Sequence, residues 1–75
     1  MHYHEYIEIT PGKRSGKPCI KGTRISVYDV LDWLSLGMSA DDIVHDYPEL
    51  TVTHVQACLA FAAKREHSLS AVPAA

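Results

Sequence analysis

Along residues 5–10, EYIEIT, apolar Ile7 and Ile9 alternate with Tyr6, Glu8 and Thr10, the period of two that a strand with one inward face requires. Pro11-Gly12 turns the chain, and Pro18-Cys19-Ile20-Lys21, closed by Gly22, has the length and composition of a second strand. The pattern predicts a two-stranded β-ribbon over 5–21 with a basic loop between the strands. Such a ribbon is marginal alone, so it must pack on helices or pair with another chain.

At Ser26 the period lengthens. Ser26 followed by Asp29 reads as a helix N-cap with an acid in the first turn, and Val27, Val30, Leu31 and Leu34 form one stripe of a helix over 27–36. Gly37 ends it where a left-handed residue is wanted. Ser39 with Asp42 starts a second helix, its inner face Ala40, Ile43, Val44 and Tyr47, and Pro48 stops it. Thr51 caps a third helix reaching about residue 66, with Val52, Val55, Leu59 and Ala62 at helical spacing. Residues 68–75, SLSAVPAA, lack period and charge and read as a flexible tail. The expected fold is mainly α: a three-helix bundle over 26–66, its last two helices able to form a helix-turn-helix, in one small domain over 1–67.

Two aromatics stand off these stripes. Phe61 falls opposite Leu59 and Ala62 on the third helix, grouped with Ala57 and His54. An aromatic among small neighbours suits a protein interface, and the N-terminal ribbon folding over it within the chain is the other reading. Trp33, at the edge of the first stripe, reads as a core rim.

A chain of 75 residues buries only about 60–65% of its unfolded surface, so help from a second subunit or a partner is expected. No apolar run serves as a secretory signal or approaches the ~20 residues that span a bilayer. A soluble, cytoplasmic protein with no membrane partner is therefore expected, and Cys19 and Cys58 read as reduced thiols.

Charge sharpens the picture. Residues 13–24, KRSGKPCIKGTR, hold five of the seven Lys and Arg residues and no acid, whereas 25–63 carry Asp29, Asp32, Asp41, Asp42, Asp46 and Glu49 with no Lys or Arg. The second helix would present Asp41, Asp42, His45 and Asp46 to a phosphate backbone, which is repulsive. The third offers His54 and Gln56 to base edges, with Lys64 and Arg65 only near its end. Any DNA contact must then draw on Lys13, Arg14, Lys17, Lys21 and Arg24. The same segment can also be a solvated connection, with Arg24 paired to a carboxylate of the acidic body.

Candidate chemistry is thin. His2-Tyr3-His4 has no third ligand nearby and reads as an exposed terminus or expression remnant rather than a metal clip. The carboxylates lie on exposed helix faces, the cysteines on inward positions, and no nucleophile motif or phosphate-cradling loop occurs. The expectation is no enzyme, hence no catalytic residue, metal or cofactor.

The run from Gly16 to Ala63 resembles the domain-of-unknown-function family numbered 433. The resemblance rests on Gly16-Lys17-Pro18, Gly22-Thr23-Arg24, Gly37-Met38-Ser39, Tyr47-Pro48 and Leu50-Thr51, and covers about two thirds of the chain. It implies a homeodomain-like bundle behind a β-ribbon, in small proteins taken as antitoxins of a PIN-like ribonuclease toxin. The chain departs from the pattern at Ser26, where proline is common, and at Thr53-His54, where acidic residues are common. Conformation accounts for much of the motif: Gly22 lets the chain leave the strand at positive φ, and Thr23 bonds to the bend.

The expected role is that of an antitoxin-like homodimer that binds and neutralises such a toxin and binds operator DNA with it. The five cations of 13–24 would contact DNA phosphate or the toxin's acidic, metal-binding centre. A free-standing DNA-binding regulator and an oligomerisation module without a nucleic-acid role are the alternatives.

Overall fold

The structure, a computed structural model, describes residues 1–69. A 3-10 turn, Tyr3–Glu5, leads into β1 (Ile7–Glu8), which pairs antiparallel with β2 (Cys19–Ile20), Ile7 opposite Ile20 and Glu8 opposite Cys19. Three helices follow, α1 (Val27–Ser35), α2 (Ala40–Asp46) and α3 (Val52–Leu69). The mainly α architecture behind a short ribbon is the expected one.

The ribbon is shorter than its alternation suggests. Glu5 is drawn into the 3-10 turn, where its N–H donates to the His2 carbonyl (3.1 Å), and Thr10 already opens a turn by accepting from the Lys13 N–H (3.1 Å). β2 nevertheless gains a second neighbour that periodicity does not reveal. After Gly22, at φ 79°, the chain doubles back. The Ile20 N–H donates to the Ile25 carbonyl and the Val27 N–H to the Pro18 carbonyl, both at 2.9 Å, while the Lys21 N–H donates to the Tyr6 carbonyl at 2.9 Å. Thr23 locks the bend: its Oγ1 donates to the Ile20 carbonyl (2.9 Å) and accepts from the Ile25 N–H (3.0 Å). Flanked on both sides, Pro18, Cys19 and Ile20 are buried.

The helix ends follow the sequence closely. Ser26 and Ser39 each accept the N–H three residues on, from Asp29 and Asp42 (both 3.0 Å), and those aspartates accept the serine N–H in return (3.0 and 2.9 Å). Two reciprocal capping boxes thus satisfy donors that a helix start leaves orphaned. α3 continues to Leu69, past the end expected near 66; from residue 70 on, the expected tail lies outside the described residues.

Ile7 and Ile20 of the ribbon, Val27 and Val30 of α1, Ile43 of α2, Leu50, and Val55, Ala57 and Cys58 of α3 form the core. Cys19 and Cys58 are free, buried thiols, and burial pushes Cys58 up to about 12. Trp33 is half-buried and stacks on Tyr47, centroids 4.3 Å apart, so it does form a rim, joining α1 to the end of α2.

α3 corrects the expectation about its inner face. Val55 is buried, but Val52 and Leu59 remain 40% and 47% exposed, and the small residues Ala57 and Cys58 face the core instead. Because α3 packs against α1, α2 and the N-terminal turn together, neighbours on several sides select its buried arc, and small side chains allow them to approach closely. Ala57, expected on an outward protein interface, is wholly buried in the chain's own core.

Candidate partner-binding surface

The basic segment is tied to the body by two of its own cations. Lys13 Nζ lies 3.1 Å from Glu8 Oε1 across the first turn. Arg14 Nη1 donates to Asp29 Oδ2 (3.2 Å) and to the Arg24 carbonyl (2.6 Å). To reach both oxygens the backbone coils into a 3-10 turn at Arg14–Gly16, with Arg14 and Ser15 at φ 49° and 58°, a left-handed conformation costly to side-chain-bearing residues. Asp29 therefore serves the Ser26 cap and the Arg14 clamp at once. Partial burial works against its charge, but the Ser26 N–H and the Arg14 guanidinium outweigh that and hold its carboxyl below the usual range.

The basic loop is thus held against the start of α1 rather than being a free arm. Arg24 was open to pairing with the acidic body, yet Arg14 occupies that role and Arg24 supplies only its main-chain oxygen. Lys17, Lys21 and Arg24 are exposed, and none has an ion pair among the described residues. Since Arg14 bonds to the Arg24 backbone, the 13–17 loop lies beside the 21–24 bend, and Lys17, Lys21 and Arg24 lie along the chain on either side of β2.

The outer face of α2 is anionic: Asp41, Asp42, His45 and Asp46 are exposed, and the Ser39 N–H and hydroxyl hold the Asp42 carboxyl below its usual range. At the start of α3, His54 is committed to the cap. Its Nδ1 accepts the Thr51 N–H (2.9 Å), and its own N–H reaches Thr51 Oγ1 (3.4 Å). The imidazole does here what a carboxylate does in the other two boxes, and its ring stands edge-on to Tyr6, centroids 5.9 Å apart. Gln56 is exposed one turn on, beside the exposed apolar Val52 and Leu59.

Further along α3, Phe61 meets Tyr3 of the same chain edge-on, centroids 5.5 Å apart, so the N-terminal turn folds over it. Lys64 and Arg65 are exposed and, with Tyr3, His4, Ile7, Ile9 and Phe61, line a groove of about 520 Å³. Of the expected residues, the groove brings Phe61, Lys64 and Arg65 together, whereas Lys17, Lys21 and Arg24 are exposed along the chain on either side of β2. His54 and Gln56 join neither. Tyr3 and Ile9 carry no sequence signal for this groove: Tyr3 sits in a 3-10 turn that leaves no periodic pattern, and Ile9 reads as an ordinary strand residue. Among the described residues no three His, Cys, Asp or Glu side chains gather as metal ligands, and no helix is long and apolar enough to cross a membrane.

The chain is similar to a DUF433 member protein from Anabaena variabilis ATCC 29413, whose 2.00 Å crystal structure superposes with a TM-score of 0.77 at 27% identity, covering 83% of this chain. The match spans 61% of the Anabaena chain, so that protein is substantially longer than the shared part. No curated protein matches. The family model described as "Protein of unknown function (DUF433)" matches residues 7–62. That span takes in both strands, the clamped basic loop, α1, α2 and the first part of α3, and with it the chain belongs to the DUF433 family.

Proposed function

We propose that this chain is a non-catalytic, antitoxin-like module that binds an acidic partner protein of the PIN-like nuclease type through Lys17, Lys21 and Arg24. The partition of the basic segment carries the reading. Lys13 and Arg14 are neutralised by Glu8 and Asp29, Arg14 also pins the backbone at Arg24, and Lys17, Lys21 and Arg24 stay exposed with no ion pair among the described residues. Cations on a pinned loop lose less freedom on association than cations on a mobile arm. They also steer encounter with an anionic surface. A carboxylate cluster holding a divalent metal is such a surface, and the Arg24 fork suits its oxygens. Neither thiol favours catalysis: Cys19 is buried, and Cys58 is both buried and pushed up to about 12.

In this reading operator DNA is engaged with the toxin rather than by the chain alone. α2 offers phosphate an acidic face, and the exposed side of α3 carries Val52 and Leu59 where a DNA-reading helix needs polar and basic groups. The oligomerisation alternative draws on that same side. Val52, Gln56, Leu59 and Ala63 are exposed at heptad spacing, a seam on which a second copy can pair.

The test is calorimetric titration with the PIN-like product of the adjacent reading frame. The triple variant K17A/K21A/R24A should bind about 10- to 100-fold more weakly, as three exposed ion pairs of up to ~1 kcal/mol each imply. Full affinity in that variant would sink the assignment. Salt-sensitive binding of operator duplex by the chain alone would favour the regulator instead.

A further inference from the structure

We infer that the outer edge of β1 at Ile9 is a self-association site, where a second copy of this chain adds its own Ile9 edge antiparallel and the two ribbons become one sheet. The contact involves this chain alone and does not depend on the nuclease reading.

Strand register decides which backbone groups are open. The Lys21 N–H donates to the Tyr6 carbonyl, while the Ile20 N–H turns away from β1 to the Ile25 carbonyl (both 2.9 Å). Ile7 and Ile20 are therefore opposed without exchanging hydrogen bonds, and the residues on either side of Ile7, Tyr6 and Glu8, turn their carbonyls to β2. By the same alternation the N–H and C=O of Ile7 and Ile9 point away from β2. Ile7 is 7% exposed, so its half of the edge is closed, whereas Ile9 is 60% exposed. Neither the N–H nor the C=O of Ile9 has a partner among the described residues. The edge ends there: the Thr10 carbonyl accepts the Lys13 N–H, and Pro11 has no N–H to offer.

One open donor and one open acceptor beside an apolar side chain are complementary to themselves. With Ile9 facing Ile9 across a twofold axis, both N–H···O=C bonds form and all four groups are satisfied. Directly opposed residues of an antiparallel pair share a face. Ile7 and Ile9 lie on the face where Phe61 and Tyr3 meet edge-on and line the groove with them. Each Ile9 is then covered by the other, and the apolar floors of the two grooves become continuous. Charge permits the pairing. Glu8, bound to Lys13 at 3.1 Å, would stand opposite Thr10 of the second copy, so no like charges meet across the axis, and no unpaired lysine guards the edge. A single reciprocal pair makes a small contact, of the transient class.

The test is a concentration series of the ¹⁵N-labelled full chain, from about 0.05 to about 2 mM, followed by sedimentation and by amide shifts. The mean mass should rise towards that of a dimer, with the amides of Ile9 and Thr10 shifting most. Ile9→Pro removes the outward N–H, which nothing in the chain accepts, and proline is tolerated at such edge positions. It should weaken association more than about tenfold and leave the distant amides in place. Ile9→Lys, at an exposed position, should do the same by opposing two cations across the axis, so the outcome does not hang on the proline variant folding. Leu59→Ala and K17A/K21A/R24A should leave association unchanged. A chain still monomeric at about 2 mM would overturn the inference, as would a dimer lost with Leu59→Ala but kept with Ile9→Pro, which moves the contact to α3. So would Ile9 shifts that arise only on adding the nuclease, since a foreign strand would then hold the edge.

Discussion

Arg14 combines a left-handed backbone with two bonds to oxygen, one to Asp29 and one to the Arg24 carbonyl. Replacing it by Ala should lower stability by about 1 kcal/mol, the usual worth of a part-exposed charged contact, measured as a shift in urea midpoint at constant m-value. Asp29 ties that clamp to pH. Its carboxyl is held below the ordinary carboxylate value of about 3.9, so its stabilising effect is present above that value and is lost as pH falls through the folded-state value. Between pH 6 and pH 3 the wild type should therefore lose stability more steeply than D29N; parallel curves would refute the linkage. His54 tests a different idea, that an imidazole completes the third capping box. H54A should cost about 0.5–1 kcal/mol, and H54Q, which keeps an acceptor, should recover most of it.

Among the elements, α3 is where pattern and packing part. Its apolar residues occupy more than one face, so helical spacing alone admits either Val52 and Leu59 or Ala57 and Cys58 as the inward set. The neighbours decide: α1, α2 and the N-terminal turn surround the arc holding Val55, Ala57 and Cys58. Two substitutions distinguish the faces. A57L should overfill the core and cost about 1–3 kcal/mol, whereas L59A should change stability by no more than about 0.5 kcal/mol. The reverse ranking in urea denaturation would restore the face that the spacing suggests. Elements with explicit chemistry at their ends were legible from sequence. Ser26, Ser39, Gly22 and Gly37 each act locally, through a hydrogen bond or a φ angle of 79° or 99° that needs no distant partner.

At the scale of the whole molecule, ribbon and helices share one small core, and its two thiols report on it. Cys19 and Cys58 are 1% and 0% exposed, and Cys58 is also pushed up to about 12. Near pH 8 both should react with an aromatic disulfide reagent only as fast as the chain opens, and both should become fast in urea. Immediate labelling of either in the native protein would contradict this packing. The candidate surface was only partly legible at this scale. The basic composition of 13–24 marked the segment that carries the exposed cations, but which of its cations bind inward and which face out depended on Glu8 and Asp29 lying beside them in space. The sequence admits the N-terminal ribbon folding over Phe61 as one of two readings, but it does not single out Tyr3 and Ile9, because residues some fifty positions apart meet only once the ribbon has folded back on α3.

Local chemistry was thus set by the chain itself: a β-ribbon, three capped helices, a basic segment before an acidic body, and the motif that marks the family. Each rests on contacts within a few residues, where spacing and side-chain type suffice. Tertiary structure alone decided the orientation of α3, the strand-like return at Ile25, the division of the cations into clamp and exposed trio, and the groove under the N-terminal turn. Those depend on which distant surfaces meet. That choice is made by competition among several apolar and charged faces of similar merit, and only packing resolves it.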